Sequence, residues 1–345
     1  MMRRIFFIAL LFMSMTKIVA QDIHFSQFYL APLVQNPAMA GTINNFEGNV
    51  NHRKQWAALG APFVTTAASA GLKLNTGKMK KGHWAAGGLF YTDRAGDGGL
   101  KTTQGNLGIT YHVKLDKYQK LGLALQGGFM QRSVSISNLQ WASQYVNGSY
   151  SAANASGEML QENTIGLFDL TSGIVYTFNN TADLIKVTSN NFRQGTLGLA
   201  MHHLNRPMYG FMGTGDRLHI RYVLHGDFLY SLKNTPLAVH PGFMIHRQAT
   251  NTEYLFGSMI RYELLANSKY TGNYRGAGIS AGTYYRWNDA IIFSAMVEFS
   301  NYSIGLSYDL TTSSLRAANG GRGGMEICLR YVSQNPYFRQ TRIFK

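Results

Sequence analysis

The sequence predicts an all-β fold, a transmembrane antiparallel β-barrel of about 14 strands, with 12–16 possible and an N-terminal arm inside the lumen. Three observations predict it: segments of roughly ten residues in which apolar and polar side chains alternate, an N-terminal export signal, and aromatic side chains near the segment ends. Alternation with a period of two places successive side chains on opposite faces of a strand. A barrel with lipid outside and water inside uses both faces in this way.

The segment 218–231 shows the two faces clearly. One face is apolar and is predicted to meet lipid: Leu218, Ile220, Tyr222, Leu224, Phe228 and Tyr230. The opposite face is polar and is predicted to line the lumen: His219, Arg221, His225 and Asp227. The next segment, 236–246, repeats the pattern with His240 and His246 on the lumen side. We therefore expect a polar lumen inside an apolar wall.

Residues 1–20 predict export. Arg3 and Arg4 precede an apolar run, and Ala20 is the small residue that signal peptidase requires before cleavage at Gln21. The apolar run is shorter than the ~20 residues that a membrane-spanning helix needs. The single cysteine, Cys328, lies far from this segment, so a lipoprotein cleavage site and an intramolecular disulfide are both excluded.

The remaining chain is predicted to form one membrane domain with two appendages. Residues 1–20 are the signal peptide, 21–45 an arm that plugs the barrel, 46–332 the outer-membrane barrel and 333–345 a C-terminal tail. The arm contains Pro32 and Pro37, which would break ladder pairing in a wall strand. Strands are predicted at residues 46–53, 64–74, 83–92, 102–113, 120–131, 164–178, 194–203, 218–231, 236–247, 253–264, 273–286, 289–299, 301–310 and 325–332.

The connections between these strands mostly alternate in length. An even strand count puts both ends of the barrel wall in the periplasm, with short inner turns and longer outer loops; the loops are predicted at 132–163, 204–217 and 311–324. Two connections break the rule, since 179–193 would be a long inner turn and 287–288 a short outer one. Leu167 and Phe168 interrupt the alternation of their strand and predict a β-bulge.

The formal charge indicates anionic partners. The chain carries +15, and removal of residues 1–20 takes away Arg3, Arg4 and Lys17 and no acid, which leaves about +12. For an outer-membrane protein, the first candidates are the phosphorylated lipid and lipopolysaccharide of its own membrane. A nucleic-acid partner is not expected, because the chain is predicted to be exported and carries no recognised nucleic-acid-binding motif.

A group of motifs follows the export signal, and a characteristic closing strand, 326–331, ends the barrel region. In these motifs the chain resembles the PorP/SprF family of outer-membrane proteins of the type IX secretion system of Bacteroidota. The residues that carry the resemblance are Gln27, Phe28, Asn36, Pro37, Ala38, Gly41, Arg53, Gln55, Trp56 and Pro62. The tail 333–345 departs from barrels that stop at an aromatic residue, since here Phe344 is penultimate.

The resemblance implies a non-enzymatic barrel that helps to secrete or anchor a type IX cargo protein at the cell surface. The implied partners are a secreted cargo protein with a C-terminal sorting domain, such as a gliding adhesin, and other type IX secretion components. The residues by themselves leave two alternatives open: a general or substrate-specific porin, and an outer-membrane barrel hydrolase. No cofactor is expected.

Two arrangements of chemically active side chains stand against this interpretation. His225 and Asp227 share a strand face as a candidate general-base pair, but no local motif supplies a nucleophile. Six histidines could meet in the lumen as zinc or copper ligands: His202, His203, His219, His225, His240 and His246. Their spacing matches no defined metal motif. We therefore expect lumenal residues that hydrogen-bond to one another, with no catalytic or metal site.

Two outer connections carry candidate partner-binding residues. Trp141, Tyr145 and Tyr150 are interspersed among polar residues in the longest loop, and exposed aromatic side chains commonly anchor protein contacts. Trp56 lies in the first outer connection, within the family-like motifs. These four side chains are candidates for contact with the cargo; the alternative for the longest loop is that it folds over the mouth of the barrel.

Overall fold

The computed structural model describes residues 22–74, 81–96, 99–135, 140–146, 148–157, 163–180, 192–211, 215–265 and 276–333. The predicted signal peptide and nearly all of the predicted C-terminal tail lie outside the described residues. The strands within them are β1 Phe46–Gln55, β2 Phe63–Lys73, β3 Gly82–Ala95, β4 Leu100–Lys114, β5 Gln119–Ser133, β6 Tyr145–Val146, β7 Ser149–Tyr150, β8 Thr164–Asn179, β9 Arg193–His202, β10 Arg221–Ser231, β11 Leu237–Gln248, β12 Asn251–Leu265, β13 Ala277–Arg286, β14 Ala290–Phe299, β15 Tyr302–Thr311 and β16 Arg322–Ser333.

All of these strands except β6 and β7 form one closed barrel, in the order β1-β16-β15-β14-β13-β12-β11-β10-β9-β8-β5-β4-β3-β2. The barrel closes where β1 pairs antiparallel with β16, from Phe46 opposite Ser333 to Gln55 opposite Gly324. Closure leaves no edge strand, so the backbone N–H and C=O groups of the wall can pair between strands, as a sheet in lipid requires. Among the described residues, no helix is long and apolar enough to cross a membrane. The predicted fold class and the count of fourteen wall strands are confirmed.

The two ends of the barrel differ in their connections. We call the turn end the one where β1 starts and β16 ends, which also carries the short connections 115–118 and 232–236. We call the loop end the opposite one, which carries the long connections 134–163 and 203–220. In outer-membrane barrels the short turns face the periplasm and the long loops face outward.

Side chains of the wall alternate between lipid and lumen. Leu224 and Phe293 point away from the lumen and are 38% and 51% exposed, whereas their neighbours His225 and Ser294 are buried. Strand β15 repeats the pattern, with its aromatic and aliphatic side chains outward and its serines inward. At the turn end the rings of Tyr302 and Tyr331 lie 5.0 Å apart. Such interfacial aromatic pairs are typical of outer-membrane barrels.

Two local predictions are wrong. Leu167 and Phe168 form no bulge, because β8 pairs with β5 without a register shift and Leu167 lies opposite Met130. Leu167 points inward and packs with Met130 and Leu218 in an apolar cluster beneath the loop end, so an apolar side chain is stable on the lumen face there. Strand β10 begins at Arg221, not at residue 218. Leu218 is therefore buried and does not face lipid.

Candidate functional site

The N-terminal arm, residues 22–45, crosses the lumen from the loop end to the turn end. At the loop end the backbone N–H of Asp22 donates to Oε1 of Gln248, the last residue of β11, at 3.2 Å. At the turn end the carbonyl of Thr42 accepts a hydrogen bond from Lys120, near the start of β5, at 3.2 Å. Between these points the arm forms three short helical turns, Phe28–Leu30, Pro32–Gln35 and Pro37–Met39. The predicted position of the arm inside the lumen is confirmed.

Side chains of the wall hold the arm largely by its backbone carbonyls. Among the described residues, seven donate directly to them: Arg221 to Ile23, Arg53 to His24, Asn51 and the Cys328 thiol to Leu30, Thr110 to Pro37, Lys120 to Thr42 and Lys73 to Ile43. Three histidine rings contact further carbonyls: His202 at Gln35, His112 at Ala40 and His83 at Gly41. Buried carbonyls outside a ladder need such partners. The polar side chains on the lumen face therefore supply hydrogen-bond partners for the irregular backbone of the arm.

A cluster of ion pairs joins the arm to the strands at the barrel closure. We call seam cluster the four buried charged residues Arg53, Arg286, Asp309 and Glu326. Arg53 lies 3.1 Å from Asp309 and 3.1 Å from Glu326, measured from its Nη2 and Nε atoms. Glu326 also accepts hydrogen bonds from the backbone N–H groups of Ser26, at 2.6 Å, and Gln27, at 2.9 Å. The arm thus supplies two amide donors to a buried carboxylate, which is a strong charge-assisted arrangement.

Asn36 fixes the middle of the arm. Its Oδ1 accepts from the N–H of Ala38 at 2.9 Å and caps the helical turn that begins at Pro37. Its Nδ2 donates to the carbonyl of Ile174 on β8 at 3.0 Å and lies 3.1 Å from Nε2 of His225 on β10. One side chain therefore shapes the Asn-Pro-Ala turn and attaches it to two regions of the wall.

Gly41 ends the helical part of the arm at a position that excludes other residues. Its φ of +64° lies in the left-handed region, and a Cβ built there would stand 2.6 Å from the Cβ of Ala85. Glycine avoids both the backbone strain and the steric clash. The chain can then pass close to β3 and enter β1 at Phe46.

The lumen is not wholly polar, and the prediction of a polar lumen is wrong for part of it. Phe28 packs in a cluster of buried apolar wall residues: Ala200, Val223, Met244, Leu255, Met259, Tyr284 and Ile292. Leu30 packs in the same way with Met296 and Cys328. These wall side chains point inward because the arm brings apolar side chains that must be buried against apolar partners.

His203 forms a second charged anchor at the loop end. Its Nε2 lies 2.6 Å from Asp22 Oδ2 on the arm, and its Nδ1 lies 2.9 Å from Asp169 Oδ1 on β8. Burial alone would lower the pKa of His203, but the charge of Asp22 and the hydrogen bonds to both carboxylates raise that pKa to about 10. Burial also acts to raise the pKa of Asp22, yet His203 and Arg221 hold it well below its usual range. The start of the arm is therefore held by an ion pair.

The remaining lumenal candidates fall into separate contacts. Arg221, His225, His240 and His246 are buried on the lumen side. Nε2 of His240 lies 2.8 Å from Oδ2 of Asp227, so Asp227 meets a histidine on the neighbouring strand. His219 is exposed, and its predicted lumenal position is wrong, because residues 218–220 precede β10 and do not continue its alternation.

The four candidate partner-binding residues lie in two loop-end connections. Tyr145 and Tyr150 face each other across the β6–β7 hairpin, with ring centroids 5.4 Å apart, and are 52% and 38% exposed. Trp141 is half-buried at the turn that precedes this hairpin. Trp56 is also half-buried, directly after β1, and its ring packs edge-on against Phe63 at 5.0 Å. The hairpin is therefore the more accessible of the two surfaces.

One protein-family model matches most of the chain, including the arm. The sequence model described as "Type IX secretion system membrane protein PorP/SprF" matches residues 18–331. The chain belongs to this family. The match covers the arm and nearly the whole wall, so the predicted family is confirmed. The molecule is an outer-membrane β-barrel associated with type IX secretion.

The ten PorP/SprF-like signature residues concentrate on the arm and on its attachment. Six lie on the arm itself: Gln27, Phe28, Asn36, Pro37, Ala38 and Gly41. Arg53 is a member of the seam cluster, and it donates to the carbonyl of His24 on the arm. Gln55, Trp56 and Pro62 lie at the end of β1 and in the connection that follows it. In this structure, seven of the ten residues therefore form the arm or contact it.

Several solved structures show low-level similarity to the chain. A mutant of the monoaromatic hydrocarbon channel TodX and a Pseudomonas aeruginosa FadL homologue each show 10% identity and a TM-score of 0.42, covering 88% of this chain and 94% of theirs. A bacterial polysaccharide outer membrane secretin shows 8% identity and a TM-score of 0.34, covering 86% and 100%. No curated protein matches the chain.

Sequence reasoning missed several residues of this PorP/SprF lumen. Asp309 and Arg286 of the seam cluster were not among the candidates, nor were Asp22 and Asp169, which bind His203. Their inward facing follows from strand alternation. A charged residue at an inward position near a strand end was the available signal, but its partner could not be named from the sequence.

Proposed function

We propose that this barrel is a plugged, non-enzymatic component of type IX secretion that holds a secreted cargo protein at the cell surface. The observation that carries the proposal is the buried arm, which occupies the lumen from Asp22 to Thr42 with its carbonyls bound to the wall. A lumen filled by its own chain is unsuited to free diffusion. The external surfaces at the loop end are then the contacts available to a cargo.

The exposed hairpin of the 134–163 connection is the proposed docking surface. Tyr145, Val146 and Tyr150 are its exposed apolar and aromatic side chains. Large amphipathic rings at low conformational cost are the side chains that most often anchor protein interfaces. Trp56 forms a second, less exposed contact. We propose that the cargo is a secreted protein with a C-terminal sorting domain, such as a gliding adhesin, and membership of the family supports this proposal.

The two alternatives have weaker support. A porin would require an open path, which the arm occupies. A hydrolase would require a nucleophile beside a base, whereas His225 contacts Asn36 of the arm and Asp227 contacts His240. Contacts with lipopolysaccharide and with other type IX components are further proposals, consistent with the basic charge and with the family.

The test is the surface retention of cargo. The candidate cargo is a large secreted protein with a C-terminal sorting domain encoded beside this gene, and its surface amount is measured by labelling intact cells. Deletion of the gene should release it to the medium. The double change Tyr145→Ala with Tyr150→Ala should do the same at unchanged barrel abundance, whereas Leu115→Ala at the turn end should not. Unchanged surface cargo in the deletion strain would reject the anchor, and strong conductance of the intact barrel in planar bilayers would favour the porin.

A further inference from the structure

Three metal-ligand side chains converge at the loop end of the lumen. His24 belongs to the arm, and His246 and Glu253 belong to the β11–β12 hairpin, where they are direct cross-strand partners. Nε2 of His24 lies 3.6 Å from Oε2 of Glu253, and Nδ1 of His246 lies 3.9 Å from Oε1 of Glu253. The three ligand atoms all lie within 4.8 Å of one another.

Two of these ligand atoms lack hydrogen-bond partners. Nδ1 of His246 and Oε1 of Glu253 are both buried and have no hydrogen-bond partner, although Oε1 forms an ion pair with Nε of Arg286 at 3.5 Å; His246 is 5% exposed. A buried polar atom without a hydrogen-bond partner is costly, and a bound ion is one of the groups that satisfies such atoms in native proteins. The two atoms lie 3.9 Å apart, and Nε2 of His24 is the third candidate ligand atom.

The ligand atoms sit on a prepared frame. The carbonyl of His24 accepts a hydrogen bond from Arg53 at 2.6 Å, which fixes the backbone that carries the imidazole. The rings of His24 and His246 lie 5.7 Å apart at an angle of 40°. Glu253 is held by the register of a regular hairpin. Ligands on fixed backbone need only small side-chain rotations to close on an ion.

We propose that His24, His246 and Glu253 bind a divalent metal ion of the zinc class, which ties the arm to the barrel wall. Two imidazoles and one carboxylate, with an open fourth position, form a donor set that zinc accepts. Bonds of about 2.1 Å in a tetrahedron place ligand atoms roughly 3.4 Å apart. The two imidazole nitrogens lie 3.6 and 3.9 Å from different oxygens of Glu253, so a small contraction would bring both nitrogens and one oxygen to that spacing.

The charges around the site permit a dication. Two arginines adjoin the site: Arg53 donates to the carbonyl of His24, and Nε of Arg286 lies 3.5 Å from Oε1 of Glu253. Among the residues that the structure describes, ion pairs connect these two cations to four carboxylates, those of Glu253, Asp289, Asp309 and Glu326. When all are ionised, the carboxylates exceed the cations by two charges. A bound dication would neutralise that excess.

The experiment uses the full barrel without a polyhistidine tag, purified in detergent and stripped with EDTA. Zinc is titrated and its stoichiometry is measured by elemental analysis, and Co²⁺ is used as a second probe through its visible absorption. We expect one tightly bound ion per barrel. His246→Ala and Glu253→Gln should each weaken Co²⁺ binding more than about 100-fold, because even loss of an outer-shell partner costs 10–100-fold. His219→Ala, an exposed histidine at the same end, should leave binding unchanged.

Folding of each variant is checked by its shift on unboiled gels. Absence of a stoichiometric ion in the unmodified barrel would overturn the proposal, whatever the variants do. Equal binding by the unmodified barrel and a folded Glu253→Gln variant would also overturn it, because the ion would then lie elsewhere. Neither result depends on the cargo, so this inference and the proposed function can fail separately.

Discussion

Arg53 and Asp309 lie 3.1 Å apart inside the barrel, on the two strands that flank the closing strand β16. Arg53 also bonds to the carbonyl of His24, and Asp309 accepts from the hydroxyl of Ser26 at 2.9 Å. The same pair therefore joins the barrel closure to the plug.

Replacing Arg53 should destabilise the folded barrel strongly. Arg53→Ala removes the arginine paired with Glu326 and leaves Asp309 with Arg286, and breaking a buried ion pair from one side costs about 3–5 kcal/mol. The measurement is the temperature at which the compact band on unboiled gels is lost. Arg247→Ala, an exposed arginine on β11, should leave that temperature unchanged. Similar temperatures for both variants would show that the seam cluster contributes little.

Adjacent residues of a wall strand should differ in their tolerance of substitution, because one faces lipid and the next faces the lumen. Phe293→Arg and Leu224→Arg should impair membrane assembly, because a cation facing the bilayer midplane costs about 2–4 kcal/mol. Ser294→Ala and His225→Ala, on the lumen side of the same strands, should assemble more fully. Quantification of heat-modifiable protein in outer-membrane fractions tests this. Equal yields from the two pairs would contradict the assignment of the lipid face.

High pH should loosen the start of the arm. The pKa of His203 is about 10 in the folded barrel, above an unfolded value of about 6.5. The stability that it contributes is therefore fully present below about pH 6.5 and is lost as the pH rises through about 10. The unfolding temperature should fall over this interval in the unmodified barrel and fall less in His203→Ala. Parallel curves would assign the pH dependence to other groups, such as lysine and tyrosine side chains.

Removing the arm should open the barrel. Deletion of residues 22–45 removes no wall strand, so closure between β1 and β16 is expected to survive. Planar-bilayer recordings should then show conductance that the complete barrel lacks. A folded deletion variant without conductance would mean that something other than the arm blocks the lumen. Conductance of equal size in both proteins would mean that the arm does not obstruct the pore.

The sequence by itself determined the wall. Alternation is a local property, since each side chain faces opposite to its neighbour along the chain, so thirteen of the fourteen wall strands could be located within three residues at either end. The exception is β13, which begins at Ala277, four residues after its predicted start at residue 273. Alternation gave a wrong position at His219, which lies outside a strand but continues its pattern. It also gave a wrong result at Leu167, where an apolar residue packs against apolar partners inside the barrel. The motifs around the arm also determined the family.

Only the tertiary structure decided which lumenal groups meet. Arg53 and Asp309 are separated by 256 residues, and His24 and Glu253 lie on the arm and a distant hairpin, so no spacing in the sequence encodes their contact. Their proximity depends on barrel closure and on the path of the arm across the lumen. Alternation specifies that a charged side chain points inward, but it does not specify its height or its position around the barrel, and both are needed to form an ion pair.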